Sequence, residues 1–257
     1  MVRLGQNFLA DPNLLAAIVR DAAPAADDVV LEVGAGEGVL TERLAKVAAL
    51  VHVIEIDRSL EPGLARLAQR PDVNLVWADA VRYDFGLLRP APTLMVANLP
   101  YSVATPVILQ TASDLPSIRR WNVMVQKEIG DRLRAGPGSK TYGVPSVLIQ
   151  LTGEVRLVRK VSRTVFRPQP RVDSAIIEIR RTGPGPDAAT RNLVRAGFAH
   201  RRKAMARSVD MVRPGSLERV RGALREAGLD PGIRAEALSP PEFAKLSAMI
   251  GLVSDDS

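Results

Sequence analysis

Apolar positions fall into two regimes along the chain. Up to about residue 180, short apolar runs alternate with amphipathic stretches; beyond it, apolar positions recur at helical spacing. Residues 29–33, 51–56, 73–77, 93–97 and 121–125 are short runs rich in Val, Ile and Leu, and each reads as a buried strand. Residues 39–48 and 105–112 read as helices between them. Strands alternating with helices imply parallel βαβ units in an open, doubly wound sheet. Two further strands are expected at 146–151, bending on through Val158, and at 174–179. They flank a Pro-rich loop, so antiparallel pairing at the sheet edge is expected.

The run Thr182-Gly183-Pro184-Gly185-Pro186-Asp187 breaks the pattern and reads as a linker. The chain beyond this linker is expected to be all-helical. Ser239-Pro240-Pro241-Glu242 has the form of a capping box with Pro at the first helical position. Phe243, Leu246, Met249 and Ile250 then share one helical face. The expected organisation is an α/β domain over residues 1–182 and a small helical domain over 183–257.

Composition narrows the chemistry. The apolar fraction of 46% in 257 residues supports an ordinary core. With no cysteine, disulfides and thiolate metal sites are excluded, which fits a reducing compartment. His52 and His200 are the only histidines and lie far apart, so neither a metal site nor a Ser-His-Asp triad is expected. No apolar stretch is long enough to span a bilayer, and residues 1–5 lead into no signal-like apolar core, so a cytoplasmic location is expected. Lys plus Arg outnumber Asp plus Glu by 35 to 28, a formal charge of +7. Such a surface attracts polyanions, of which nucleic acid is the commonest.

Two motifs sit where strands end. Gly34-x-Gly36-x-Gly38 turns the first strand into a helix, letting the backbone turn sharply and a ligand approach. Glu55 ends the next strand, about 20 residues on, where an acid binds ribose hydroxyls. A nicotinamide dinucleotide site uses the same logic. The G-x-G-x-G spacing and Asp79-Ala80 after the third strand, placed to accept from an adenine amino group, favour S-adenosylmethionine. A strand-end cap is the other reading of Asp79. Glu32 could meet a ligand ammonium. The second motif, Asn98-Leu99-Pro100-Tyr101, sets a carboxamide, two carbonyls and an aromatic ring at the end of the fourth strand. It reads as a turn, or as a clasp for a flat ring bearing an amino group: the carboxamide and a carbonyl accept two N–H bonds while the tyrosine stacks.

These segments, in this order, resemble the bacterial ribosomal RNA adenine dimethyltransferases, the enzymes whose loss gives kasugamycin resistance. The resemblance also runs through Leu4-Gly5-Gln6-Asn7-Phe8-Leu9, Gln126-Lys127-Glu128, residues 138–143, residues 166–174 and Phe198-Ala199-His200-Arg201-Arg202-Lys203. This chain carries Ser102 where the family often has Asn, and Leu99 where relatives acting on 23S rRNA tend to have Ile. The resemblance implies a Rossmann-like methyltransferase sheet, S-adenosylmethionine as cofactor, and dimethylation of N6 on two neighbouring adenosines near the 3′ end of 16S rRNA. It implies a monomer that works on the small ribosomal subunit without metal or membrane. Asn7, Leu9, Gly34, Gly36, Glu55, Asp79, Ala80 and Asn98 would line the cofactor site. Asn98, Leu99, Pro100, Tyr101 and Phe166 would hold the adenine, the two aromatic rings covering opposite faces. Arg201, Arg202 and Lys203, expected on a helix, would contact RNA phosphates; an ordinary solvated face is the alternative. Two other functions stay open: a catalytically silent assembly factor of the same fold, and a 23S rRNA dimethyltransferase conferring macrolide resistance. A reductase is disfavoured because no Tyr-x-x-x-Lys pair is present.

Overall fold

A computed structural model describes Phe8, Leu9 and residues 11–251 of the chain. In chain order the elements are β1 (Phe8–Leu9), α1 (Pro12–Ala22), β2 (Val29–Val33), α2 (Val39–Leu44), β3 (Leu50–Glu55), α3 (Glu61–Ala68), β4 (Val73–Trp77) and β5 (Leu94–Asn98). Next come α4 (Ala104–Asp114), β6 (Arg120–Gln126), α5 (Lys127–Leu133), α6 (Val144–Thr152), β7 (Gly153–Val161), β8 (Phe166–Arg167) and β9 (Ser174–Arg181). The last four helices are α7 (Ala188–Ala199), α8 (Met205–Val212), α9 (Leu217–Glu226) and α10 (Pro240–Ile250). They fall into two compact units: Met1–Gly130 with Val155–Arg181, and Asp131–Glu154 with Thr182–Ser257.

The first unit is built on a seven-stranded sheet of order β4-β3-β2-β5-β6-β9-β7. The strands β4, β3, β2, β5 and β6 run parallel, and β9 lies antiparallel to β6. All five residues of β2 are buried, as a parallel strand covered on both faces requires. From β2 the chain moves outward to β3 and β4, then returns to place β5 on the other side of β2. Loops leaving β2 and β5 therefore part in opposite directions, which opens a crevice at the strands' carboxyl ends.

Helix termini in this unit are closed by side chains. The Asp11 carboxylate accepts from Asn13 N at 2.8 Å and Leu14 N at 3.2 Å, and Pro12 begins the helix where its missing N–H costs nothing. Helix α1 then buries Leu14, Leu15 and Ile18, each contributing about 1.5–3 kcal/mol. Its last carbonyls, on Ala22 and Ala23, accept from Arg120 Nη2. At the end of α4, Arg181 does the same for Ala112 and Leu115, donates to Ile118 O, and lies 5.0 Å above the Trp121 ring. Cations at helix carboxyl ends also meet the favourable end of the dipole.

The second unit corrects one strand assignment. Residues 146–151, expected as a strand, lie inside helix α6; the strand of this region, β7, starts only at Gly153. A short, wholly apolar run suits a buried helix as well as a buried strand. Gly143 and Pro145 before the run are helix-start signals. Ser146 and Gln150, four apart, then share a helical face: Ser146 Oγ donates to Arg132 O, and Gln150 Nε2 donates to Leu133 O and Ala135 O. As expected, the rest of the unit is helical. Glu242 accepts from Ser239 N and Oγ, both at 2.7 Å, to open α10. The Phe198 ring packs between Tyr142 and Phe243 with centroids 5.9 and 5.8 Å away. The buried Tyr142 hydroxyl donates to Leu238 O, and burial raises its pKa. No described helix is long and apolar enough to cross a membrane.

Two buried side chains have polar atoms without a partner among the described residues, Ser216 at its Oγ and Asn122. Asn122, in the middle of β6, is 1% exposed, and neither its Oδ1 nor its Nδ2 has a hydrogen-bond partner among the described residues. An unpaired buried polar atom costs about 1–3 kcal/mol, whereas an apolar group of the same shape is neutral or better. Asn122→Leu should therefore raise the thermal midpoint, by about 2–4 °C for each kcal/mol recovered. A lower midpoint in a calorimetric scan would contradict this account.

Candidate active site

The crevice at the carboxyl ends of β2, β3 and β5 is held open by the glycine loop. Gly34 has φ +80° and donates to Ile54 O at 2.9 Å, pinning the loop to β3. A Cβ at this position would lie 3.1 Å from Pro100 Cδ, so only glycine lets the two loops approach this closely. Glu55 fixes the loop from the other side. Its Oε2 accepts from Gly36 N at 3.1 Å, and its Oε1 accepts from Ile56 N at 2.8 Å and Asp57 N at 2.9 Å. Three backbone donors orient the carboxylate, which also lines the pocket; a carboxylate's roughly four acceptor positions leave capacity for a ligand hydroxyl.

Glu32 and the exposed Glu37 also line the pocket. Glu32 is wholly buried and accepts from Thr41 Oγ1 at 2.6 Å. Burial pushes its carboxyl pKa up to about 8; the nearby Glu55 charge adds to the rise and the Thr41 bond opposes it. At neutral pH this favours the protonated carboxyl.

Asn98 ends β5 beside Met124 and is half-buried in the pocket wall. Leu99 N donates to Met124 O at 3.0 Å, and the Leu99 side chain is buried at 1% exposure. Pro100 O accepts from Val103 N at 3.1 Å at the entry to α4. Of the two carbonyls offered by the motif, Pro100's accepts in a turn, and Leu99's takes part in no turn or loop bond among the described residues. Tyr101 lines the same pocket, its hydroxyl 2.8 Å from Ser174 Oγ. Phe166 also lines it, from β8, which pairs with β1 so that Phe166 faces Leu9. At 2% exposure Phe166 is also part of the core, packed with residues such as Leu14, Val161 and Ile176.

Leu9, Gly34, Gly36, Glu55, Asn98, Leu99, Pro100, Tyr101 and Phe166 thus share one pocket. Asp79 and Ala80 are not among its lining residues. Asp79 follows β4, accepts from Val81 N at 3.0 Å and sits 3.8 Å from Arg82 Nε, while Ala80 is buried. Asn7 lies outside the described residues. Phe8, Leu15, Val39, Leu40 and Ile56 are lining residues that motif reading did not single out. Ile56 was within reach, since it directly follows the ribose acid; Leu15 belongs to a helix that carries no motif.

Arg201, Arg202 and Lys203 do not lie on a helix but in the turn between α7 and α8. Nor are they equivalent. Arg201 Nε donates to Glu236 at 2.7 Å and its Nη2 donates to Lys140 O at 3.0 Å, so it ties loops of its own unit together. Arg202 and Lys203 are exposed.

The buried acid and the basic turn can each be tested. Glu32 has a folded-state pKa above its ordinary value near 4.5, so stability is full below that value and falls as pH rises towards about 8. Glu32→Gln should flatten the thermal midpoint across this window; an unchanged pH slope would mean the group ionises freely. Arg201→Gln should lower the midpoint, at a cost of about 1 kcal/mol for partly exposed charged hydrogen bonds, while Arg202→Gln and Lys203→Gln should not. Equal effects in the three variants would contradict the division.

The family model for ribosomal RNA adenine dimethylase matches residues 2–250. A ribosomal RNA small subunit methyltransferase A from Rubrobacter xylanophilus is 43% identical over 248 residues, 95% of this chain and 92% of that protein. The protein of the same name from Streptomyces coelicolor is 44% identical over 254 residues, 95% of this chain and 88% of that one. Among solved structures, the 23S rRNA methyltransferase ErmE is 28% identical with a TM-score of 0.68, covering 95% of this chain and all of that one. A dimethyladenosine transferase from Plasmodium falciparum shares the fold, with a TM-score of 0.77 at 24% identity over 93% of this chain and 95% of that chain. The chain belongs to the ribosomal RNA adenine dimethylase family, S-adenosylmethionine-dependent enzymes with a Rossmann-like catalytic sheet.

Proposed function

We propose that the pocket receives, one at a time, two adjacent adenosines near the 3′ end of 16S rRNA and dimethylates each at N6. The observation that carries this reading is the pair of acceptors at the end of β5: the Asn98 carboxamide and the Leu99 carbonyl, set against the glycine loop by the Gly34–Pro100 contact. The Rubrobacter and Streptomyces relatives are both named for the small subunit, which favours 16S over 23S rRNA.

The pocket suits the cofactor. Glu55 would hold the ribose hydroxyls, the glycine backbone would pass close beneath, and Glu32 would face the ammonium; Asp79 would reach the adenine from the end of β4. Bound S-adenosylmethionine supplies an electrophilic methyl on a sulfonium. The chain's own contribution is orientation. The N6 lone pair of adenine is delocalised into the ring. When Asn98 Oδ1 and Leu99 O accept hydrogen bonds from its two N–H groups, the nitrogen is favoured in a more pyramidal form with the lone pair free to attack. The methylated nitrogen is a strong acid and sheds its proton to solvent, so no side-chain base is needed. A monomethylated N6 keeps one proton, so the second transfer uses one acceptor at a time. The base must leave its stack to enter. Tyr101 would cover one face of it, with Phe166 forming the buried wall opposite.

The helical unit, residues 183–257 with 131–154, would carry rRNA contacts through Arg202 and Lys203. The enzyme would work as a cytoplasmic monomer without metal.

Asn98→Ala should lower methyl transfer by ~10²–10³-fold, the loss typical of removing one oriented polar group from a transition state. Affinity for RNA should hold, because phosphates dominate it. Tritium transfer to under-methylated small and large subunits, with mass spectrometry of the product nucleosides, reads both the reaction and the target. Near-normal transfer by Asn98→Ala would sink the mechanism. Labelling of the large subunit would reassign the substrate, and no labelling at all would favour a silent assembly factor.

A further inference from the structure

At the edge of the sheet opposite the pocket, four guanidinium groups meet. Arg119 and Arg120 stand at the start of β6, and Arg180 and Arg181 at the end of β9, its antiparallel neighbour; Arg120 and Arg180 are directly paired. With Asp28, Thr93 and Leu94 they line an open cavity of about 330 Å³. Asp28 and Thr93 immediately precede β2 and β5, so the cavity lies at the amino ends of strands whose carboxyl ends carry Gly34 and Asn98. Five to seven residues of strand put about 20 Å between the two sites.

The four arginines have different tasks. Arg120 and Arg181 close the carboxyl ends of α1 and α4, donating to backbone carbonyls. Arg119 and Arg180 reach outward, with side chains 70% and 52% exposed. Arg119 donates to Asp28 Oδ1 at 3.0 Å. Asp28 also accepts from Thr93 Oγ1 and Ala25 N, so its carboxylate is fixed and cannot turn towards the other cations. Arg180 grips Glu178, but Arg156 shares that carboxylate. Four arginines and one acid, Asp28, line the cavity, with Glu178 just behind Arg180. Guanidinium groups held this close repel one another unless an anion joins them, and their planar forks suit a phosphate. Arg119 and Arg180 are the exposed pair, while Arg120 and Arg181 are held at the helix ends.

We propose that this cavity binds a backbone phosphate of the ribosomal RNA, giving the catalytic unit a second grip about 20 Å from the methyl-transfer pocket. That the ligand is ribosomal RNA rests on the proposed methyl-transfer function; the phosphate chemistry does not, and a free phosphate would offer the same group. A strand reaching from one edge of the sheet to the other would be held at both ends. Only the far contact would act on binding without touching the reaction.

The test is the double variant Arg119→Gln/Arg180→Gln, which spares the helix-closing arginines. Small-subunit particles are titrated at several salt concentrations. The expected result is weaker binding, with a log–log salt slope shallower by about 0.7–0.9 for one lost phosphate. KM for the particle should rise while kcat and affinity for S-adenosylmethionine stay constant. Arg119→Lys/Arg180→Lys should restore the slope, because counterion release follows charge, and an unchanged thermal midpoint in both variants would show that the fold is intact. An unchanged slope and KM in the Gln variant would overturn the proposal. So would a cavity that binds inorganic phosphate in calorimetry, losing it in the Gln variant, while the RNA slope stays put. If the wild-type chain methylates no particle, the proposed function fails, yet the slope comparison still decides this site.

Discussion

The site depends on one close approach, that of Gly34 to the Pro100 ring. The two residues leave strands β2 and β5, which diverge at the point where the chain reverses its path across the sheet. A divergence of this kind gives a crevice but not a clasp. The clasp arises because no Cβ stands between the loops: one at Gly34 would meet Pro100 at 3.1 Å. Pro100 in turn is fixed by the turn that opens α4, so any shift of the glycine loop is felt at Asn98 and Leu99. Glu55 supplies the restoring force from β3 by holding Gly36, Ile56 and Asp57 on one carboxylate. Loop and clasp are therefore tied together, which suits the proposed mechanism, in which orientation does the work. Orientation is then the main thing the protein can contribute.

Charge is arranged with the same economy. The buried acids Glu32 and Glu55 lie in the pocket that must accept a cationic, hydroxyl-bearing cofactor. None of the described Lys and Arg residues is among those lining that pocket. Within the basic set, position decides the task. Arg120, Arg181 and Arg201 spend their donors on carbonyls or on Glu236 and hold the fold together. Arg119, Arg180, Arg202 and Lys203 keep exposed charge. A count of Lys and Arg cannot separate these classes, although it correctly signals the kind of partner.

Much of the fold was legible because parallel strands advertise themselves. The five runs that became β2 to β6 are short, apolar and set between amphipathic helices, and each appeared within a residue or two of its expected place. The glycine loop, Glu55 and the Asn98 motif were legible for another reason: their chemistry demands fixed residue types at strand ends. What failed was whatever depended on partners distant in sequence. Residues 146–151 look like a strand until Arg132, Leu133 and Ala135 are known to offer carbonyls to Ser146 and Gln150 at helical spacing. Arg201 looks like its two neighbours until Glu236 and Lys140 appear beside it. Asp79 keeps its expected place after β4, but the described lining of the pocket stops short of it.

Phe166 shows how the two kinds of information combine. The motif around it marks an aromatic wall, and the ring does line the pocket. Yet the residue is 2% exposed and packs with Leu14, Val161 and Ile176, so it is as much a core residue as a binding one. Tyr101 differs: it is only half-buried, and its hydroxyl is anchored on Ser174 at the start of β9. The two rings are therefore constrained differently. Phe166 is held in the core, and the β8–β1 pairing sets it opposite Leu9. Tyr101 is fixed at its tip and by the Asn98 loop at its base. The pocket lining therefore joins one ring held by packing to one held by a hydrogen bond at its tip.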